Sequence, residues 1–235
     1  MNDSFRREQQ ERLEQMRTEP EPVDEWPRGC RGSRRPWLVF IGPSPGGKDK
    51  RDEPAEPLWN KPFTAPFHWG GGFKQSMRPL LSALMPEASE TEATLLYAVY
   101  NLDSIQDPHA NHVPIERMRK GAPAVLSLLE KSPPRLIVPM EKECAKILRE
   151  ALVRRGYHLG TNDEFLLPVP IPIYNNPKRL HRKLCGFRIE GAGPLRGSFV
   201  IRLPQHPAKI LRADYATACG KAVRNVFEQL AAAGA

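Results

Sequence analysis

Apolar positions along the chain follow two alternating patterns, which predict strands that are followed by helices. Apolar runs typical of strands buried on both faces occur at residues 37–41, 94–100, 136–138 and 198–202. Apolar residues spaced three and four apart, typical of amphipathic helices, occupy residues 77–84, 115–130, 144–152 and 215–230. We therefore expect an α/β fold, a single domain with a mainly parallel central sheet of about four strands flanked by helices.

The segment from about residue 160 to residue 197 departs from this pattern. Prolines alternate through residues 165–173, which favours an extended edge segment over a central strand. Between residues 175 and 202 the chain has seven Lys and Arg against a single Glu. We interpret residues 160–197 as a basic insertion, either a solvated loop or a phosphate-contacting surface.

Charge and composition indicate which partner the protein binds and in which cellular compartment it acts. Lys and Arg number 35 and Asp and Glu 27, a net charge of +8 that favours a polyanionic partner; we expect DNA, double-stranded or single-stranded. No apolar run reaches the roughly 18 residues of a membrane span, and the N-terminus lacks the apolar segment of a secretory signal. Residues 1–36 instead predict a charged helix and a Pro- and Arg-rich arm before a domain at 37–235. We expect a cytoplasmic monomer without membrane contact.

The spacing of the four cysteines disfavours a metal centre, and the sequence of one glycine-rich loop disfavours a nucleotide-binding site. The cysteines form no C-x-x-C pair, which disfavours zinc and iron–sulfur centres. Residues 42–48 resemble a phosphate-binding loop, but Asp49 stands where that loop has a magnesium-binding hydroxyl. Pro43 and Pro45 also remove two backbone N–H donors from a loop that binds by donating them. We expect no cofactor.

The segments after the predicted strands carry a family resemblance. They read Gly42-Pro43-Ser44-Pro45-Gly46, then Lys61-Pro62-Phe63-Thr64, Asn101-Leu102, and finally His206-Pro207-Ala208 with Leu211-Arg212. In order and spacing this set resembles the uracil-DNA glycosylase superfamily, closest to families four and five but without the iron–sulfur cysteines. The resemblance implies that the sheet edge holds a pocket for a nucleobase rotated out of the duplex.

The resemblance also implies a role for each matching residue. Gly42 and Pro43 would shape the base pocket, Phe63 would stack on the base, and Asn101 would read its Watson–Crick edge. His206 would donate to the departing base, and Ser44 would orient water. The family's usual acid is missing from the first segment, so Asp103 is our candidate for stabilising the sugar cation. DNA contacts would come from Lys209, Ile210, Leu211 and Arg212 after the His-Pro pair, and from Lys178, Arg179, Arg182 and Lys183 in the basic insertion.

Each of these residues also has a structural interpretation that the sequence leaves open. Phe63 competes with Phe67 and Phe73 for the stacking role, Asn101 can cap a turn, and His206 can be a buried, hydrogen-bonded histidine. A D-x-H-x-x-H cluster at 107–112 fits a polar loop better than a metal site.

The function that the resemblance implies is a monofunctional DNA glycosylase, a hydrolase that releases uracil or a modified base and leaves an abasic site. The long segments beside the predicted pocket extend the candidate substrates to a bulky modified cytosine of phage DNA, so both DNA repair and antiviral defence are open roles. The alternative is a DNA-binding or sensor protein on the same fold that performs no catalysis.

Overall fold

The computed structural model describes residues 3–18, 31–44, 71–104, 113–174, 176–210 and 212–233. The helices in these ranges are α1 (Asp3–Thr18), α2 (Gly71–Leu84), α3 (Glu90–Leu96), α4 (Ile115–Lys131), α5 (Lys142–Arg154) and α6 (Ala213–Ala233), with a short 3-10 helix at Pro207–Lys209. The strands are β1 (Arg31–Gly32), β2 (Leu38–Gly42), β3 (Tyr97–Asn101), β4 (Leu136–Pro139), β5 (His158–Leu159), β6 (Asp163–Ile173), β7 (Asn176–Glu190) and β8 (Phe199–Arg202).

A single mixed sheet forms the centre of the fold, in the order β1-β3-β2-β4-β8-β7-β5, and β6 also pairs with β7. The α/β class with one sheet and flanking helices is confirmed. Strands β3, β2, β4 and β8 are mutually parallel, whereas β1 and the three strands beyond β8 pair antiparallel. The predicted strand number was too low, because the sheet continues past its parallel part on both sides.

The missing strands come mainly from the predicted basic insertion. Strands β6 and β7 form a long antiparallel hairpin, and β7 pairs with β8 over Cys185 to Arg188. The first half of β7 is exposed and basic, whereas its second half buries Leu184, Phe187 and Ile189. Charge dominates the composition of this segment and hides the short apolar alternation that pairs it with the sheet.

A second correction concerns the start of β3. Residues 94–96, which the apolar run assigns to a strand, form the last turn of α3, and β3 begins at Tyr97. The helix begins with a capping box, in which Glu92 N–H donates to Ser89 Oγ (3.2 Å) and Ser89 N–H donates to Glu92 Oε2 (2.8 Å). The paired Ser and Glu three residues apart were the available signal for this helix.

Helices cover both faces of the parallel strands. Alternate residues of β2 point to opposite layers: Leu38 and Phe40 pack in the cluster with α2 and α6, and Val39 and Ile41 pack in the cluster with α4 and α5. All five residues of β2 are buried, as expected for a parallel strand between two helical layers. This packing holds the strand ends in fixed relative positions. In the described part of the chain no helix has the length and apolar character to cross a membrane.

The predicted N-terminal helix is present as α1 and rests on the domain. Arg12 Nη2 donates to the carbonyl of Pro133 (2.9 Å), and Glu8 pairs with Arg135 (3.1 Å) just before β4. The Pro- and Arg-rich stretch that follows, residues 19–30, lies outside the described residues.

Candidate functional site

The carboxyl ends of the four parallel strands meet at one edge of the sheet, here called the carboxyl edge. Gly42 of β2 is the register partner of Asn101 of β3. The segments that follow β2 and β3 stay hydrogen-bonded beyond the sheet. Leu102 N–H donates to the carbonyl of Gly42 and Asp103 N–H donates to the carbonyl of Pro43, both at 2.9 Å. Ligands of parallel α/β sheets bind at such an edge, so it is where the candidate residues need to be.

Asn101 lies across the end of β2, where Gly42 makes room for it. A Cβ atom on Gly42 would stand 2.5 Å from Asn101 Oδ1 and 3.1 Å from the Cε of Met140, so a larger residue would displace the amide. The side chain is buried, with 8% of its surface exposed. An amide offers both a donor and an acceptor, the pairing that reads the edge of a nucleobase.

Asp103 forms an ion pair with a residue of the helix layer. Its side chain is buried and its carboxylate contacts the guanidinium of Arg117 on α4. Helix α4 approaches closely here, because a Cβ on Gly121 would fall 1.7 Å from the carbonyl oxygen of Leu102. Arg117 compensates part of the negative charge of Asp103, which weakens its case as the group that stabilises a sugar cation.

Ser44 is buried at the end of β2, and its hydroxyl makes no hydrogen bond to any described residue. A buried hydroxyl without a partner is unfavourable by about 1–3 kcal/mol, and a polar group of a ligand would satisfy it. The chain after Ser44, including Pro45 and Gly46, lies outside the described residues.

His206 begins the 3-10 helix after β8, and its ring accepts a backbone hydrogen bond. The Nδ1 atom accepts from Ala208 N–H at 3.2 Å, so the proton of the neutral ring is on Nε2. Burial, and then the charge of Lys209, lower the pKa of His206 to about 4. The ring is therefore neutral near pH 7, with its proton on Nε2.

Two polar residues of this edge are not found by sequence reasoning. Gln205 is buried; its Nε2 donates to the carbonyls of Pro172 (3.1 Å) and Lys209 (3.3 Å), and its Oε1 accepts from Tyr174 N–H (3.2 Å). Gln205 therefore ties the end of β6 to the loop that carries His206. Its position directly before His206 was the only signal in the sequence.

The second residue is Glu141, the N-cap of α5 just after β4. Glu141 pairs with Lys209 at 3.9 Å. Burial raises the pKa of Glu141, against the opposing charge of Lys209. Glu141 thus adds a carboxylate at the strand end next to β8, and a carboxylate at a helix start is the signal that could have found it.

The predicted DNA-contact residues fall into different surroundings. Ile210 is buried in the core and its carbonyl accepts from Ser76 Oγ, so its placement does not fit the predicted insertion into a duplex. Arg212 is exposed, bonds to Asp214 (2.9 Å), and lies over the ring of Tyr215. Lys183 pairs with Glu164. The other three predicted residues of β7, Lys178, Arg179 and Arg182, are exposed as Lys183 is.

Several predictions concern residues outside the described part of the chain, namely Phe63, Phe67, Leu211 and the cluster at 107–112. Phe73 lies in α2, and its side chain is likewise outside the description. In the described ranges no three His, Cys, Asp or Glu side chains are grouped as metal ligands would be. A cleft of about 200 Å³ lies between α4 and α5, lined by Leu126, Ile147 and neighbouring residues, and it belongs to the helix layer.

The carboxyl edge therefore gathers a buried amide, a buried hydroxyl and a neutral imidazole donor. Asn101 ends β3 and His206 follows β8, and these two strands are three spacings, or roughly 14 Å, apart in the sheet. Comparison of the chain with protein-family models and with curated proteins finds no match to either.

Proposed function

We propose that the protein is a monofunctional DNA glycosylase that hydrolyses the N-glycosidic bond of a flipped-out uracil or modified base. The observation that carries the proposal is the neutral His206 on the loop after β8, whose Nδ1 accepts Ala208 N–H so that the ring proton is on Nε2. The ordered strand-end segments that resemble the uracil-DNA glycosylase superfamily support it. Its product is an abasic site.

The chemistry follows from charge at the leaving group. As the glycosidic bond breaks, the bond electrons leave with the base and negative charge develops on the base oxygen. A fixed N–H donor aimed at that oxygen stabilises the charge, and one such donor contributes about 3 kcal/mol in a water-excluded site. Asn101 would hold the base by its Watson–Crick edge, and Ser44 would orient the water that attacks the sugar.

Excision assays test the proposal directly. Duplexes that carry uracil, hypoxanthine, hydroxymethylcytosine or glucosylated cytosine are incubated with the protein and then treated with alkali, which breaks the strand at abasic sites. We expect breakage on at least one of them. The modified base in the duplex that breaks distinguishes a role in DNA repair from a role in defence against phage DNA. The absence of breakage on every substrate would count against a glycosylase.

A variant of His206 tests the role of the donor. His206→Asn keeps an acceptor for Ala208 N–H and removes the imidazole, and we expect excision to slow by about 10²- to 10³-fold. The affinity for uncleaved duplex should stay within about threefold. His158→Asn, at an exposed histidine of β5, is the matched control and should leave the rate unchanged.

The second candidate is a DNA-binding or sensor protein without catalysis. The pairing of Asp103 with Arg117 favours it, because the charge of the carboxylate proposed to stabilise the sugar cation is already compensated in part. This candidate predicts DNA binding without turnover in both the natural protein and the His206→Asn variant.

A further inference from the structure

The hairpin of β6 and β7 extends beyond the carboxyl edge. Pairing of β7 with β8 ends at Cys185 and Arg202, so residues 176–184 continue past the last paired residue of β8. At about 3.4 Å per residue this extension spans roughly 30 Å. We call residues 165–174 and 176–182 the distal hairpin. Its β7 side is exposed at every residue except His181, which is half-buried.

The distal hairpin combines positive charge with exposed apolar side chains. Residues 165–182 include Lys178, Arg179 and Arg182 and contain no Asp or Glu. The acidic residues of the hairpin lie at its base, where Glu164 pairs with Lys183. Four large apolar side chains of the same segment are exposed, namely Leu166, Val169, Tyr174 and Leu180. A surface with cations and apolar groups but no acidic residue is complementary to a nucleic-acid backbone.

Gln205 fixes the distal hairpin relative to the candidate site. Its amide bonds to the backbone of Pro172 and Tyr174 on one side and to the carbonyl of Lys209 on the other. Gln205 is directly adjacent to His206. Nucleic acid bound along the hairpin would therefore be held at a set distance from the His206 ring.

We propose that the distal hairpin is an arm that grips duplex DNA through its phosphates, with Gln205 as the residue that positions it beside the His206 loop. The tip of the hairpin, where residues 174 and 176–180 are exposed, is a two-stranded ribbon that fits the major groove of B-form DNA, which is about 12 Å wide. The major groove of an A-form RNA duplex is too narrow and deep to admit it. The arm goes beyond the proposed base excision and binds DNA whether or not a base is released.

The salt dependence of binding tests the arm. In the arm variant Lys178, Arg179 and Arg182 are all replaced by Gln, and in the control Lys131, Lys146 and Lys221, exposed on three helices, are replaced by Gln. Both variants lose three positive charges. Affinity for an undamaged 25-bp duplex is measured by fluorescence anisotropy over a range of salt concentrations, and thermal unfolding checks that both variants are folded.

For the arm variant we expect the slope of log K against log salt to fall by about 2.7, at about 0.9 per phosphate contact, and the affinity at 0.1 M salt to fall on the order of 10²-fold. The control should change the slope by less than 1. Equal changes in the two variants, or an unchanged slope in the arm variant, would overturn the proposal, as would tighter binding to an RNA duplex of the same sequence. An undamaged duplex makes this result independent of the excision assays.

The Gln205→Glu variant tests whether Gln205 positions the arm. A carboxylate still accepts from Tyr174 N–H but cannot donate to the carbonyls of Pro172 and Lys209. We expect the salt slope to stay as in the natural protein while hydrogen exchange at residues 173–174 becomes about tenfold faster. Unchanged exchange would show that Gln205 does not hold the arm.

Discussion

The parallel part of the sheet and the distal hairpin use the same strand geometry for opposite purposes. Every residue of β2, β3 and β4 is buried, whereas β6 buries only two of its eleven residues. Helices on both faces hold the parallel strands, whereas beyond the point where β8 ends the hairpin buries only Leu167, Ile171 and Leu184 in the core. The comparison teaches that one sheet can fix the positions of strand-end residues in its interior and present charge to a partner at its margin.

The largest difference between the two regions should appear in the free energy of unfolding. Leu136→Ala removes a fully buried side chain from β4 and should destabilise the protein by about 3 kcal/mol. Leu166→Ala, at a side chain 77% exposed on β6, should change the stability by less than about 0.5 kcal/mol. Urea unfolding measures both. Similar losses in the two variants would show that the hairpin is packed as tightly as the parallel strands.

A smaller effect is expected where α4 meets the end of β3. Gly121→Ala would gain up to about 1 kcal/mol of helix propensity at an open position, but its Cβ would meet the carbonyl of Leu102. We expect a net loss of about 2 kcal/mol, because the helix has to move away from the strand end. Lys120→Ala, at the exposed neighbour on α4, is the control and should be close to neutral. A stabilised Gly121→Ala variant would contradict this close approach.

The smallest effect concerns pH and the loop that joins the two regions. The pKa of His206 is about 4 in the folded protein and near 6.5 in an unfolded chain. Between these values the unfolded chain binds more protons, so His206 lowers the stability as the pH falls from 6.5 to 4. The contribution is about 2 kcal/mol after allowing for partial exposure of the ring.

Unfolding at pH 7, 5.5 and 4 in the natural protein and in His206→Asn isolates this contribution. On acidification the variant should lose about 2 kcal/mol less of its unfolding free energy than the natural protein, because an asparagine side chain does not titrate. Glu141 and Lys209 are common to both proteins, so their contributions cancel. An equal loss of stability on acidification in the natural protein and in the variant would show that the ring is solvated and protonates normally.

The sequence predicts the parallel strands well because burial on both faces leaves unbroken apolar runs, such as the one at residues 37–41. It fails on β7, because five Lys and Arg residues in the strand outweigh its few buried apolar residues, Leu184, Phe187 and Ile189. It also misses Gln205, since the pattern of polar and apolar residues does not reveal which polar side chains fold inward. Predicting the order of candidate residues at the strand ends was possible; predicting that Asp103 would pair with Arg117 required the position of α4.

The prolines of β6 have a consequence for how copies of this protein meet. Among the described strands β6 pairs with β7 alone, so its other margin has no strand partner there. Pro168, Pro170 and Pro172 lack backbone N–H groups, so three donors are missing along this short stretch of the strand. A second chain could not continue a hydrogen-bonded ladder there, which protects a long, partly apolar ribbon from fibril-like stacking.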